Sequence, residues 1–108
     1  MHEIRLITAQ RAVTAAGTPE KLKEAPEFQQ ERFISITIRA KTGNAGFIYV
    51  CHWDDRATIT TEGHVLSPGE TMPLDVHDIY DGYIDLSKIA IDAGTSGDGI
   101  SYYGFEVV

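Results

Sequence analysis

"RFISITIRA", residues 32–40, is the stretch whose reading settles the fold class. Its apolar side chains recur at Ile34, Ile36, Ile38 and Ala40, with Ser35, Thr37 and Arg39 between them. A period of two marks a half-buried β-strand, because successive side chains leave opposite faces of an extended backbone. The β-branched residues that fill the run have a restricted χ1 that suits a pleated surface better than a helix.

The pattern recurs along the chain. "EIRLIT" (3–8) alternates at Ile4, Leu6 and Thr8, which predicts that these three share the buried face. "GFIYVC" (46–51), "TMPLDV" (71–76, with Met72, Leu74 and Val76), "KIAID" (88–92, with Ile89 and Ile91) and "ISYYGFEVV" (100–108) are further half-buried strands. "AVTAA", "KLK" and "ATITT" are weaker strand candidates. Groups of Gly, Asn, Asp and Pro separate them, and the structural turn residues are Asn44 and Gly46 in "KTGNAG", Pro68 and Gly69 in "SPGE", and Asp98 and Gly99 in "GTSGDG". The longest helix candidate, "TPEKLKEAPEFQQERF", has Thr18 as N-cap and Pro19 at the first position but is broken by Pro26, so a loop with one helical turn is expected there. Short strands separated by turns predict an all-β chain. It should form one domain over residues 1–108, an antiparallel β-sandwich or jelly-roll-like barrel with at most one short helical turn.

Composition narrows the function classes. A net charge of -7 and a pI near 4.9 have the wrong sign for coating phosphate backbones, so nucleic acid is not an expected partner. No apolar run has the length of a membrane span, and "MHEIRLITAQ" lacks the basic start and apolar stretch of an export signal, so no membrane partner is expected. One cysteine leaves no internal disulfide to form, and stability must come from packing or association.

The residue types of catalysis gather most densely at "CHWDD", Cys51 to Asp55. Adjacent residues of a strand face opposite ways, so Cys51 and His52 are not placed as a nucleophile and its base. The histidines, at positions 2, 52, 64 and 77, lack the short repeated spacing of a zinc site. Asp54 and Asp55 are expected to open a turn, with Arg56 as a surface partner, since the segment lacks the oxygen spacing of a calcium loop. "GTSGDG" lacks the Gly-Lys-Ser/Thr ending of a phosphate loop and leads into a strand. No catalytic residue, metal or cofactor is therefore expected, and the chain reads as a non-enzyme. Tyr102 and Tyr103 must face opposite sides of one strand, one of them in the core. Trp53, Tyr80 and Tyr83, in segments read as loops, are the interface candidates.

Taken in order, "FISITIRAKTGNAGFIYV", "LSPGETMPLDV" and "YIDLSKIAIDAGTSGDGISYY" resemble small virion structural proteins of tailed phages, across about residues 32 to 103. The chain departs from that pattern at Cys51, where glycine is usual, and in "TPEKLKEAPEFQQE". The resemblance implies a β-sandwich capsid decoration, or cement, protein, made in the host cytoplasm and carried on the capsid surface. Its implied partners are the major capsid protein and copies of itself, as a dimer or trimer. The alternatives are a head-tail junction, tail or fibre component, or a carbohydrate- or receptor-binding module.

Overall fold

In the computed structural model, which describes residues 3–24, 32–75 and 82–107, the alternating runs pair into two antiparallel sheets. The strands are β1 (Ile4–Ala12), β2 (Glu20–Lys21), β3 (Phe33–Ala40), β4 (Ile48–His52), β5 (His64–Leu66), β6 (Thr71–Asp75), β7 (Ile89–Ala93) and β8 (Gly99–Val107). One sheet has the order β1-β8-β3-β6 and the other β2-β7-β4-β5. The pairs β1 with β8, β2 with β7, β3 with β6 and β4 with β5 are the rungs of one long hairpin whose successive rungs fall in opposite sheets. That connectivity is a jelly roll.

The core lies between the sheets. Phe33, Ile36 and Ile38 of β3, Ile48 and Val50 of β4, Leu66 of β5, Ile91 of β7 and Ile100 of β8 are all buried. Each such side chain contributes roughly 1.5–3 kcal/mol over its exposed state, which makes this inner layer the main source of stability. Tyr102 is 6% exposed and belongs to the core, whereas Tyr103 is 51% exposed, as opposite faces of β8 require. Met72 and Leu74 of β6 pack against the same core.

Four sequence expectations are corrected. In β1 the buried phase is Ile7 and Ala9, while Ile4 and Leu6 are 54% and 58% exposed and Thr8 is exposed. Both phases of that strand are apolar, so alternation could not choose between them. In β3 the register shifts between Phe33 and Ser35, which buries Phe33 and leaves Ile34 half-buried. Gly104 opposite has no Cβ because one there would lie 2.5 Å from Ser35 O and 3.1 Å from the Phe33 ring. β7 is buried at every position rather than on one face. "ATITT" is helical: a 3-10 helix, Trp53–Thr58, leads into α1 (Ile59–Glu62).

The helical turn thus falls between β4 and β5, and a second 3-10 turn, Leu86–Lys88, precedes β7. The expected turn at "TPEKLKEAPEFQQERF" is absent from residues 18–24, where β2 forms instead, and residues 25–31 lie outside the described ones. Val76 and His77 also lie outside them.

Connections between the sheets are held by side chains. Asp98 is 8% exposed, and its two carboxylate oxygens accept the N–H groups of Ala45 and Gly46, each at 2.9 Å. Asn44 answers from the opposite loop: its Nδ2 donates to Gly99 O and its Oδ1 accepts the Gly99 N–H, each at 2.9 Å. Residues 41–47 carry the chain from β3 to β4 and residues 94–98 from β7 to β8, so this clamp ties two sheet-switching loops together. The β1–β2 connection joins it, with Val13 N–H donating to Asp98 O at 2.8 Å and Gly97 N–H to Val13 O at 2.9 Å. Close packing there requires Gly99, where a Cβ would sit 2.7 Å from Arg11 O. At the β5–β6 connection Pro68 and Gly69 (φ 87°) form the turn, held by Gly69 N–H to Ala40 O at 2.9 Å and Ser67 N–H to the Glu70 carboxylate at 2.6 Å. The bonds from Ser67, its backbone N–H first, hold the Glu70 carboxyl below its ordinary pKa.

Removing the carboxylate should therefore be costly. Asp98→Ala leaves two part-buried amides without acceptors and is expected to lower the unfolding free energy by about 2–4 kcal/mol. Thr42→Ala, exposed in the facing β3–β4 loop, should change it by less than about 0.5 kcal/mol. Equal urea midpoints for the two variants would contradict the clamp.

Candidate assembly surface

The cysteine and histidine at the end of β4 are separated by the fold. The Cys51 thiol donates to His52 O at 3.2 Å, and His52 Nδ1 accepts the Asp54 N–H at 3.1 Å, capping the 3-10 helix. Burial, and then the negative charge of Asp55, push the Cys51 pKa above its ordinary value, the opposite of what a thiolate nucleophile needs. Among the described residues no group of three or more His, Cys, Asp or Glu side chains is arranged to hold a metal ion.

Trp53 fastens the helical segment to the sheet behind it. The Arg56 guanidinium lies 4.2 Å and the Lys21 ammonium 5.2 Å from its ring centroid, and Arg56 Nη1 also donates to Trp53 O at 2.9 Å. Arg56 thus serves Trp53 rather than the aspartates expected from the sequence, because stacking on an adjacent ring also satisfies a backbone carbonyl. Ile59 of α1, 3% exposed, completes the cover over β4 and β7, which is why β7 is buried on both faces. Asp92, on that covered side, accepts the N–H groups of Gly17 at 3.0 Å and Ala93 at 2.8 Å through Oδ1.

Of the three aromatic interface candidates, the structure describes Trp53 and Tyr83. Trp53 is half-buried beneath its two cations. Tyr83 is 43% exposed, with the Arg32 guanidinium 5.9 Å from its ring, on the lip of an apolar cleft of about 410 Å³ shared with Cys51, Met72 and Leu74. Tyr80 lies outside the described residues. Of the turn residues, Asn44, Gly46, Asp98 and Gly99 meet in the clamp, while Pro68 and Gly69 stand at the β5–β6 turn.

Most of the large exposed hydrophobic side chains among the described residues lie elsewhere, on the outer face of the β1-β8-β3-β6 sheet. Ile4, Leu6, Tyr103 and Phe105 are 54%, 58%, 51% and 41% exposed. Leu6 stands directly opposite Phe105, and Thr8 opposite Tyr103, so the four form one continuous stripe. At the other end of the same face Arg39 and Lys41, with Gln10, Thr42 and Ser101, line a shallow depression of about 460 Å³. Neither cation has a side-chain partner among the described residues. The signal was present in the sequence as a first strand with apolar residues in both phases. A strand wet on one face has no structural need for that pattern.

No protein-family model matches the chain, and no curated protein matches it. Among solved structures it is similar to a chain from Bacillus endospore appendages, described as a family of disulfide-linked pili, with a TM-score of 0.51 and 18% identity over 99% of this chain and 88% of that one. It also aligns with the SPBc2 prophage-derived protein YomS at a TM-score of 0.43 and 11% identity, covering 100% and 96% of the two chains. At these identities the first likeness concerns the fold, and the second is too distant to carry an argument. No helix among the described residues is long and apolar enough to cross a membrane.

The raised Cys51 pKa gives a direct check. Below that pKa the folded chain holds less thiolate than the unfolded one, so alkylation at neutral pH should be slower in the native protein than in urea. The gap should narrow as the pH climbs past the native pKa. Cys51→Ser should cost less than about 1 kcal/mol of stability. Faster alkylation of the native chain would show an activated thiol.

Proposed function

We propose that this chain is a structural subunit of a tailed-phage particle that decorates the capsid and stiffens it by binding the major capsid protein and copies of itself. The observation that carries the reading is the exposed stripe Ile4, Leu6, Tyr103 and Phe105, an apolar surface on an acidic β domain, with two cations at its far end that have no side-chain partner among the described residues. Such a face suits a flat contact with another protein surface: apolar area supplies the attraction, and Arg39 and Lys41 select a partner with negative charge at one end. The rigid roll suits mechanical work, since side-chain bonds hold its sheet-switching loops and leave little slack to yield under load. Small contacts repeated over a symmetric shell add up to a large stabilisation without a catalytic step.

The sequence resemblance supports the same reading, because its fragments supply both halves of the Asn44–Gly99 and Asp98–Gly46 clamp. A pilus subunit with a similar fold is an example of the architecture serving in an extended assembly, which is support by analogy only. A sugar-binding reading is disfavoured because Lys21 and Arg56 already lie over the Trp53 ring it would use.

Particles lacking the protein should assemble but release their DNA at a lower temperature than complete particles. Adding back the purified wild-type chain should restore the higher temperature, and the Leu6→Glu, Phe105→Glu double variant, altered at two exposed positions, should fail to do so while remaining folded. Equal release temperatures with and without the protein would refute the cement role, and the protein at one vertex or along the tail would assign it to the junction, tail or fibre.

A further inference from the structure

The two sheets of the described residues end in four edge strands, and three of them are blunted. β2 and β5 are two and three residues long. β6 carries Pro73 in its middle. The bond from Ala40 N–H to Glu70 O shows that the even-numbered residues of β3 face β6. With Ile38 opposite Met72 and Ile36 opposite Leu74, the free edge of β6 presents Thr71, Pro73 and Asp75, and its central donor is missing. These are the usual defences against strand addition.

β1 has none of them. It is nine residues long, without proline, glycine or bulge. Val13 N–H donates to Asp98 O, and Lys41 N–H to Gly99 O, so the odd residues of β1 bond to β8 and the even ones face outward. Ile4, Leu6, Thr8 and Gln10 therefore direct backbone donors and acceptors outward from this edge, beside the apolar stripe, where no other described strand pairs with them.

We propose that this edge is where two copies of the chain pair, β1 antiparallel to β1 about a two-fold axis at Ile7, joining two four-stranded sheets into one of eight. Charge selects the register. An axis at Thr8 would set Arg5 against Arg11 of the second copy. An axis at Ile7 instead sets Glu3 against Arg11 of the second copy, twice by symmetry, with Leu6 opposite Thr8 and Ile4 opposite Gln10. One Arg11 Nη bonds Glu20 at 2.9 Å, which leaves the other Nη for a second carboxylate, while the buried Nε is out of reach of another molecule. The Glu20 carboxylate also accepts the Thr14 N–H at 2.7 Å, so the backbone ladder runs over Ile4–Gln10 and stops short of that flank, with only the Glu3 and Arg11 side chains meeting at its two ends.

A contact of one strand per copy is smaller than the roughly 1,200–2,000 Å² of a stable interface, so the pair forms in concentrated protein and is reinforced within an assembly. The inference supplies the self-contact that the assembly reading leaves open, yet rests on the edge geometry alone. A chain that stiffens a shell but never pairs would overturn this inference and leave that reading intact.

Residue-resolved amide exchange tests it. On going from dilute to concentrated protein, the outward amides of Leu6, Thr8 and Gln10 should slow by about tenfold or more, while Ile7 and Ala9, bonded to β8, are slow throughout. Thr8→Pro removes an outward donor that the single chain does not use, so it should fold normally and sediment as a monomer where the wild type is dimeric. Fast exchange of the outward amides at every concentration would overturn the proposal. So would undiminished dimerisation of Thr8→Pro, or protection that requires a strand from a different protein.

Discussion

The fold depends on one short-range interaction, the reciprocal clamp between Asn44 and Gly99 and between Asp98 and the amides of Ala45 and Gly46. A jelly roll is a long hairpin whose rungs alternate between two sheets, and each switch turns the chain through a corner where no ladder can satisfy the backbone. Here two such corners satisfy each other. A carboxylate suits the task because each oxygen accepts a charge-assisted bond, and an amide suits the other side because it can donate to the C=O and accept from the N–H of one residue, Gly99. Strands distant in the chain are thereby held in register before any contact they make with another molecule.

That rigid frame leaves its two outer faces with different fates. One is closed by the chain itself, with Ile59 against the sheet and Trp53 held by Lys21 and Arg56. The other carries Ile4, Leu6, Tyr103 and Phe105 in the open. Under the proposed assembly role, the layer over that apolar sheet is supplied by another molecule. The unequal guarding of the edges has the same sense, since Pro73 interrupts one border of that sheet while β1 continues uninterrupted along the other.

Much of this was legible in the residues, and the failures have physical causes. Alternation in "ISITIRA" and the opposed faces of Tyr102 and Tyr103 gave the sandwich. The phase of β1 was not readable, because Ile4 and Leu6 are as apolar as Ile7 and Ala9 and only the partner sheet distinguishes them. "ATITT" has strand-like residues but begins after a His52 cap that starts a 3-10 turn, and local capping outweighed propensity. The turn residues were visible singly. Their convergence was not, since Asn44 and Gly99 are 55 positions apart and nothing local links them. The apolar stripe had a trace in the doubly apolar first strand, whereas Trp53, the stronger local signal by residue type, has its ring occupied by Lys21 and Arg56.

The central claim is that the chain works by repetition as part of a shell. Its most direct test is the copy number of the protein in purified particles, measured by quantitative mass spectrometry against the major capsid protein. The account predicts a simple ratio to the shell subunit, as lattice-wide decoration requires. A handful of copies per particle, or none, would contradict it.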